Sequence, residues 1–308
     1  MKSGKSNFSA GWIGLPLYVT AFFIIIAVML FSCQKESSAP TTTVSDEEAT
    51  IVSQENAAAD AEYDDLTEVG FSADADLEAS AGGELDGTSN GARLDLGLRL
   101  GDDLFFKVGP CTKITVSPND STYPKTVIID YGDGCICRDG KFRKGAIILY
   151  YTKPLRRPGA ELTITLRNFF VNRAHIEGTK IIKNLTEGNV HKYSVVVVDG
   201  QVTWPNGRGF KYEKTKVVTQ VRGMETRKIR DDVYSIEGRS KTVYANGLTV
   251  VLNTETPLIK PVACNWIVSG VLKIKINQRT LFLDYGNGEC DNKAWLKWND
   301  HRIEITLP

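Results

Sequence analysis

Two glycine-rich turns carry the carboxylates that are best spaced for chemistry. Asp130 and Asp133 lie in the run DYGDG, with Asp139 further along the chain, and a twin run, DYGNG, begins at Asp284. Three carboxylates at this spacing could hold a hard cation through their oxygens. However, the spacing is not that of an EF-hand, and the twin has Asn287 where Asp133 stands. The favoured interpretation is a structural turn, in which glycine supplies the bend and aspartate accepts backbone N–H bonds.

Other catalytic signatures are missing from the sequence. The three histidines, His175, His191 and His301, stand in no metal-ligand or triad pattern, and the chain has no G-x-S-x-G, H-E-x-x-H or phosphate-loop motif. Carboxylates that meet only in the fold could still catalyse hydrolysis, as paired acids do in glycosidases. We therefore expect no catalytic residue, no cofactor and no metal, and we keep a carboxylate-dependent hydrolase as the last alternative.

Aromatic and basic side chains suggest ligand binding instead. Tryptophans on an exposed sheet face could stack against sugar rings, although such rings are more often part of a β-sheet core. The tryptophans concerned are Trp204, Trp266, Trp295 and Trp298. A proline- and glycine-containing loop over residues 153–159 adds Arg156 and Arg157, which could grip an acidic glycan. From these sets, Trp298, Arg156 and Arg157 are the candidate ligand-binding residues.

Two segments of the sequence echo each other. Residues 111–151 contain KTVIIDYGDGC before the strand-like run GAIILYY, and residues 264–307 contain RTLFLDYGNGEC before HRIEITL. Each segment runs from a cysteine through two strands and the acidic turn to a second cysteine and a further strand. We interpret the two segments as a duplicated β unit.

The cysteines fit a disulfide framework. When Cys33 is set aside as a lipidation site, the remaining ones are Cys111, Cys135, Cys137, Cys264 and Cys290. The echo pairs Cys264 with Cys290, and Cys111 with either Cys135 or Cys137. Because alternate residues of a strand share a face, geometry does not choose between the last two. A metal site is disfavoured, since the spacing C-x-C lacks the usual two-residue gap and no histidine lies nearby.

From Cys111 onward the hydrophobic pattern has a period of two. Apolar and polar residues alternate in ELTITLRN, VLKIKIN and HRIEITL, which predicts strands with one wet face. The pairs Asp199-Gly200, Asn206-Gly207 and Asn246-Gly247 separate such runs and supply the positive φ angles that two-residue hairpins need. With roughly fifteen candidate strands, the predicted fold is all-β and mainly antiparallel. We expect a sandwich, or curved sheets closed into something barrel-like.

Charge divides the chain into two pieces. Residues 44–104 hold seventeen acidic and two basic side chains, whereas residues 105–308 hold thirty-two basic and nineteen acidic ones. The overall net charge of zero therefore hides an acidic piece that is followed by a basic one.

The acidic piece has the composition of a tether. Residues 33–104 are rich in small and acidic residues and poor in large apolar ones, so we expect a disordered acidic tether before the β-rich domain. A short acidic helix could form within it, with Tyr63, Leu66, Val69 and Phe71 on one side. In the alternatives, this piece folds back on the basic domain, or it repels anionic lipid headgroups.

The amino terminus has the composition of a secretion signal. Lys2 and Lys5 precede an uncharged stretch that contains FFIIIAVML and ends in Leu30-Phe31-Ser32-Cys33. This ending resembles the bacterial lipobox. The resemblance implies a lipoprotein signal peptide over residues 1–32 and lipidation of Cys33 by diacylglycerol and an acyl chain such as palmitate, which together anchor a protein stably. The alternative is an uncleaved membrane helix over residues 12–32.

About two thirds of the chain resembles a family of Bacteroidota lipoproteins. Besides the lipobox and the acidic spacer, the likeness rests on KTVIIDYGDGC, YYTKPLRRPGA, VTWPNG, CNWIVSG and LDYGNGECDNKA, and it covers residues 111–308. It implies an exported β-rich lipoprotein and brings no catalytic residues. Cys137 looks like an addition to the family pattern, which favours Cys135 as the partner of Cys111. Gln34, after Cys33, implies the outer membrane by similarity to known sorting rules.

These features predict a lipid-anchored protein of the cell envelope that faces the periplasm or the cell surface. We expect a non-catalytic binding module for a glycan or a protein partner, with a structural envelope lipoprotein as the first alternative. Nucleic acid is not an expected partner, because an exported protein seldom meets it and the lysines are scattered. The predicted parts are the signal peptide (1–32), the tether (33–104) and a β-rich domain (105–308) that contains the two similar units.

Overall fold

A computed structural model describes residues 44–81 and 102–307 of the chain, apart from residues 189, 227 and 229. The lipobox cysteine Cys33 and the apolar stretch before it lie outside the described residues. Helix α1 spans Asp46–Ala81 and helix α2 spans Asp102–Lys107. No helix in the described part of the chain combines the length and the apolar character needed to cross a membrane.

A series of strands follows helix α2, and all of them belong to one sheet of fourteen strands in the described residues. Their bounds are β1 (Lys113–Ser117), β2 (Lys125–Asp130), β3 (Cys135–Ile136), β4 (Phe142–Tyr151), β5 (Glu161–Val171), β6 (Ala174–Asn184), β7 (Lys192–Thr203), β8 (Gly209–Arg222), β9 (Val233–Tyr244), β10 (Thr249–Pro261), β11 (Ser269–Ile276), β12 (Arg279–Asn287), β13 (Lys293–Trp298) and β14 (His301–Thr306).

The sheet is an antiparallel meander. From β4 to β14 each strand pairs with the next one along the chain, while β2 pairs with β1 and β4, and the two-residue β3 pairs with β4. Strands β1 and β14 are therefore the two edges of the sheet. The predicted antiparallel β architecture is confirmed, as a single sheet that is not closed, in place of two packed sheets.

Tight turns connect many of the strands, and the sequence predicts two of them correctly. Asn206-Gly207 joins β7 to β8 and Asn246-Gly247 joins β9 to β10, with glycine φ angles of 82° and 83°. Each turn is closed by a backbone hydrogen bond, from the Gly207 N–H to the Trp204 carbonyl and from the Gly247 N–H to the Tyr244 carbonyl. Glycine supplies the positive φ that these turns require.

Asp199-Gly200 was expected to form a hairpin turn, and this prediction is wrong. The pair forms a bulge inside β7, where the register with β8 shifts between Val197 and Gly200. A Cβ atom at Gly200 would lie 2.9 Å from the hydroxyl oxygen of Tyr63 in helix α1. Register shifts of the same kind interrupt β4, β5, β6, β10 and β11. Because a bulge bends its strand and increases the local twist, these shifts curve the sheet around the helix.

Helix α1 lies inside the curve of the sheet. Ser45 caps the first turn, since its Oγ accepts the N–H of Glu48 at 3.1 Å. From Glu48 to Glu78 every residue is buried or half-buried, so the helix is covered on all sides. Its apolar residues Leu66, Val69 and Phe71 belong to the same hydrophobic core as the inward side chains of the strands.

The expected tether is wrong for residues 46–81. This segment has twelve acidic side chains and no basic one, and it forms a helix packed against the basic sheet. The alternative in which the acidic piece folds back on the basic domain is thus the one observed. Residues 44–308 form one compact unit, so position 105 is not a domain boundary.

Helix and sheet approach each other closely at Gly70. The Tyr151 hydroxyl donates a hydrogen bond to the Gly70 carbonyl at 2.7 Å. A Cβ atom at Gly70 would lie 2.5 Å from Cδ2 of Leu162, which is fully buried in β5. The missing side chain at this position therefore lets the helix backbone approach the sheet.

The two echo units lie at the two edges of the sheet. The first contributes β1, β2, β3 and β4, and the second contributes β11 to β14. The structure contains the disulfides Cys111–Cys135 and Cys264–Cys290, which the sequence favours, and leaves Cys137 as a free, buried cysteine.

Candidate functional site

Cations from the sheet, from its turns and from helix α2 hold helix α1. In β8, Lys214 pairs with Asp60 at 2.9 Å, and Lys216 pairs with Asp64. In β4, the fully buried Arg143 pairs with Asp65 at 2.6 Å. We call this set of contacts the ion-pair ladder. Its other members are Lys107–Asp65, Lys107–Glu68, Lys141–Glu62, Lys260–Glu68 and Arg208–Glu55.

The ladder keeps its central carboxylates ionised. Burial alone would raise the pKa of Asp64, but the attraction of Lys216, Lys214 and Lys180 outweighs it, so the pKa is lowered. The pKa of Asp65 is likewise held well below its ordinary value, because Arg143, Lys107 and Lys141 outweigh the effect of burial. Both aspartates therefore carry negative charge in the folded protein at neutral pH.

Two other acidic side chains of the helix have raised pKa values. Burial raises the pKa of Glu62, although Lys141 opposes the shift. Burial raises the pKa of Asp74 to about 7, even though its carboxylate accepts the N–H of Leu155 at 2.9 and 3.0 Å. These two groups favour the protonated form more than an exposed carboxyl group does.

An open cleft of about 280 Å³ lies over one side of helix α1, and we call it the seam cleft. Its floor is a stripe of the helix, from Ala57 to Glu68. Its walls come from both halves of the sheet. On one side they are Lys107, Asp139, Lys141 and Asn172, and on the other Lys260, Asn265, Trp266, Ile267, Tyr285 and Leu307. The volume suits a small polar ligand.

The first wall is positioned by the buried Arg143. Its guanidinium donates to both oxygens of Asp139, at 2.9 and 2.7 Å, and also to Asp65 on the helix. Lys141 reaches Glu62 at 2.9 Å. Asn172, in the turn between β5 and β6, is fixed by accepting the N–H of Phe142 at 3.1 Å. Charge-assisted hydrogen bonds therefore hold Asp139 and Lys141, and a neutral hydrogen bond holds Asn172.

The second wall is the loop over residues 262–268, which follows β10. The Cys264–Cys290 disulfide ties this loop to the connection between β12 and β13. Lys260 donates to the carbonyl of Cys264 at 2.6 Å, and the Val268 N–H bonds to the Ile259 carbonyl at 2.9 Å. This loop holds Asn265, which is exposed, and Trp266, which is half-buried against the core.

The acidic turns of the echo have a structural role. Asp130 accepts the N–H of Gly132 at 2.8 Å and pairs with Arg167, and Asp284 accepts the N–H of Gly286 at 3.0 Å and pairs with Lys297. Each aspartate therefore closes its own turn and binds a cation of another strand, β5 for Asp130 and β13 for Asp284, as the favoured interpretation of the sequence states. The tyrosine that follows each aspartate, Tyr131 or Tyr285, is buried.

The structure does not bring the three candidate ligand-binding residues together. Trp298 is only 7% exposed and packs against His301 and Arg279, so its expected role as an exposed stacking ring is wrong. Arg279 pairs with Asp46 at the start of helix α1. Arg156 and Arg157 adjoin Leu155, which binds Asp74. Since Asp46 and Asp74 are 28 helical residues apart, the two places are separated by roughly 42 Å along the helix.

Sequence reasoning missed most of the seam cleft. The sequence offers Trp266 only as one of four tryptophans, and its composition predicts a tether where the helical carboxylates lie. Two signals could have revealed the helix. Ser45 stands where an N-cap residue is expected before an acidic first turn. In β8, Lys214 and Lys216 alternate in phase with the apolar Tyr212 and Val218, which indicates inward cations that need anionic partners.

The charges around the seam cleft are nearly balanced. The carboxylates that line it are Asp60, Glu62, Asp64, Asp65, Glu68 and Asp139. The cations within salt-bridge distance of them are Lys107, Lys141, Arg143, Lys180, Lys214, Lys216 and Lys260. Such a surface offers many hydrogen-bond donors and acceptors with little net field. It therefore matches a neutral polyhydroxy ligand better than a polyanion.

Glu62 and Asp65 also form a pair of carboxyl groups with opposed pKa shifts. Lys141 Nζ lies 2.9 Å from a Glu62 oxygen and 4.0 Å from an Asp65 oxygen, so the two groups share one cation. The pKa of Glu62 is raised and that of Asp65 is lowered. A pair of this kind has the electrostatic character of a general acid beside an ionised carboxylate.

Comparison of the chain with family models, with curated proteins and with solved structures gives no match.

Proposed function

We propose that this chain is a lipid-anchored protein of the cell envelope that binds a neutral saccharide in the seam cleft. The observation that carries the proposal is the combination of Trp266 with the amides of Asn172 and Asn265 over a floor of balanced charges. A sugar offers an apolar ring face for stacking and hydroxyl groups for hydrogen bonding, and the cleft has partners for both.

The proposed cell-envelope location rests on the amino-terminal sequence. The run Leu30-Phe31-Ser32-Cys33 after an uncharged apolar stretch supports lipidation of Cys33, and Gln34 supports the outer membrane as the destination. The two disulfides fit an oxidising compartment. An envelope glycan is the ligand that such a protein would meet.

The rigid second wall supports binding by a preformed site. The Cys264–Cys290 disulfide and the Lys260 hydrogen bond fix the loop that presents Asn265 and Trp266. A ligand that docks there does not have to order this loop, so little of the interaction energy is lost to conformational entropy.

Intrinsic tryptophan fluorescence, with Trp266 as the residue to be replaced, tests the proposal. The protein is titrated with a panel of neutral envelope oligosaccharides, and its affinity is measured in parallel by calorimetry. We expect a saturable fluorescence change and at least a ten-fold loss of affinity in Trp266→Ala, because one stacked ring contributes about 1.5 kcal/mol. Trp295→Ala is the matched control, since Trp295 is half-buried outside the cleft lining and carries Arg302 over its ring. Equal affinity in both variants, or no binding by any oligosaccharide, would contradict the proposal.

Hydrolysis of the bound saccharide is a second candidate function, because Glu62 and Asp65 lie in the same cleft with opposed pKa shifts. In this case Glu62 would protonate the leaving oxygen while Asp65 acts as the ionised partner. The discriminating measurement is product formation from an oligosaccharide that binds. Turnover that is lost in Glu62→Gln while affinity is kept favours the hydrolase, and binding without turnover favours the binding module.

A further inference from the structure

Three loops on one side of the sheet form a continuous surface, which we call the loop rim. They connect β4 to β5 (152–160), β6 to β7 (185–191) and β8 to β9 (223–232), and the antiparallel order puts all three at the same ends of their strands. The rim also includes the strand-end residues Lys192, Val221 and Arg222, which adjoin these loops. Backbone hydrogen bonds link them to their neighbours. The Gly159 N–H bonds to the Asn184 carbonyl and the Gln220 N–H to the His191 carbonyl, both at 3.0 Å.

The loop rim exposes large apolar side chains. Leu185 is 41% exposed, Val190 50%, Val221 43% and Met224 41%. The turns at the opposite ends of the same strands are different. They are short and polar, and the described residues of these turns, 172–173, 204–208 and 245–248, include no exposed large apolar side chain. Exposed large apolar side chains near these turns lie on strands instead, at Ile136 in β3 and Phe142 in β4.

The same rim is rich in exposed cations. The rim has more exposed cations than exposed acids. The cations are Arg157, Lys192, Arg222, Lys228 and Arg230, and the acids are Glu187, Glu225 and Asp231. Isolated apolar side chains at a protein surface need no explanation, but exposed apolar side chains among an excess of cations are the composition of an interfacial membrane-binding surface.

From this surface we infer that the loop rim docks on anionic lipid headgroups, with Leu185, Val190, Val221 and Met224 inserted at the boundary of the acyl chains. This contact is independent of saccharide binding, and it is separate from lipidation at Cys33. The exposed cations attract the negative surface, and the rim then buries apolar area. A membrane accounts for both features, whereas a soluble polyanion would use the cations and leave the apolar side chains in water.

Vesicle binding by the unlipidated unit tests the inference. The unit is residues 44–308, which contains the helix, the sheet and the whole core, so it lacks Cys33 and the apolar amino terminus. Co-sedimentation is measured with phosphatidylcholine vesicles, with and without one third phosphatidylglycerol. We expect binding to the anionic vesicles only. Replacing Arg157, Arg222 and Lys228 by Gln should weaken it about a hundred-fold, at about a five-fold loss for each cation near the surface.

A second variant separates a membrane from a polyanion. Leu185→Ser, Val190→Ser and Met224→Ser together should weaken vesicle binding about a hundred-fold, because each inserted aliphatic side chain should contribute about five-fold to the affinity. The control replaces exposed apolar residues elsewhere on the sheet, Ile136, Val198 and Val217, by Ser. All variants are first checked by far-ultraviolet circular dichroism.

Two results would overturn the inference. The first is the absence of binding to anionic vesicles by the folded unit. The second is binding that depends on the three cations but is unchanged in the Leu185, Val190 and Met224 variant, because the rim would then be a site for an anionic polymer.

Discussion

Helix α1 contacts one sheet in two different ways. From Asp60 to Glu68 the contacts are mainly the ion-pair ladder, whereas Val69, Phe71 and Ala73 pack as buried apolar side chains. Buried ion pairs stabilise little relative to apolar packing, because the desolvation of two charges offsets most of their attraction. The comparison indicates that the apolar stretch supplies stability, while the ladder fixes the position of the helix and thereby the floor of the seam cleft.

The largest expected effect is in the apolar stretch. Phe71 is buried and contacts the ring of Tyr193 edge-to-face, with 4.8 Å between centroids. Phe71→Ala should lower the free energy of unfolding by about 3–5 kcal/mol, because it removes this contact and leaves a cavity. Urea denaturation at low and high salt measures it. We expect the loss to be the same at both salt concentrations, and a strongly salt-dependent loss would contradict a purely apolar contribution.

The ion-pair ladder should respond differently to the same measurement. Asp65→Asn removes the charge on which Arg143, Lys107 and Lys141 converge. We expect a loss of about 3 kcal/mol, at the low end for a broken buried pair because Asp139 still holds Arg143.

The matched double variant Asp65→Leu with Arg143→Met isolates the cost of the unpaired charge. It should recover part of the stability, since it removes both members of the buried pair. A double variant that is less stable than Asp65→Asn would show that the ladder itself contributes net stability.

The carboxyl groups of helix α1 should also make the stability of the protein depend on pH in two opposite directions. The pKa of Asp74 is raised from 3.8 to about 7, so between these values the folded state binds a proton that the unfolded state does not. Its contribution therefore lowers stability as pH rises through this window, by at most about 1.4 kcal/mol per pH unit. Asp64 and Asp65 have lowered pKa values, so their stabilisation is present above pH 3.8 and is lost as pH falls below it.

Asp74→Asn tests the first of these slopes. Thermal unfolding of both proteins is compared between about pH 4 and pH 7, the window set by the two pKa values. The stability of the wild type should fall relative to that of the variant as pH rises. Parallel pH profiles would show that Asp74 titrates as an exposed carboxyl group does.

How much of this arrangement could be predicted from the sequence depends on how local the signal is. Strands and hairpins follow from a period-two pattern and from Asn-Gly pairs, such as Asn206-Gly207, which act over a few residues. Helix α1 has polar residues on every side, so no amphipathic pattern marks it. Its burial depends on cations such as Lys180 and Lys216, more than a hundred residues away along the chain.

The seam cleft was unpredictable for the same reason. Its floor is a helix from the acidic piece, and its walls come from two distant parts of the chain, around Lys141 and around Trp266. Composition alone favoured a disordered tether, because a sequence with few large apolar residues cannot bury enough surface to fold by itself. Contacts with the sheet supply the free energy that stabilises this helix. The inward cations of the sheet can be recognised in the sequence, because these lysines alternate in phase with apolar residues of the same strand.

The smallest expected effect concerns the start of the helix, outside both stretches. Ser45 accepts the N–H of Glu48 and so satisfies one of the free donors of the first turn. Ser45→Ala should cost about 1 kcal/mol, and Ser45→Asn, which keeps a capping oxygen, should cost little. Because the cap lies far from Asp65 and Phe71, its effect should add to theirs in multiple variants. Urea denaturation measures both, and non-additive losses would show that the helix start and the ladder are coupled through the position of the whole helix.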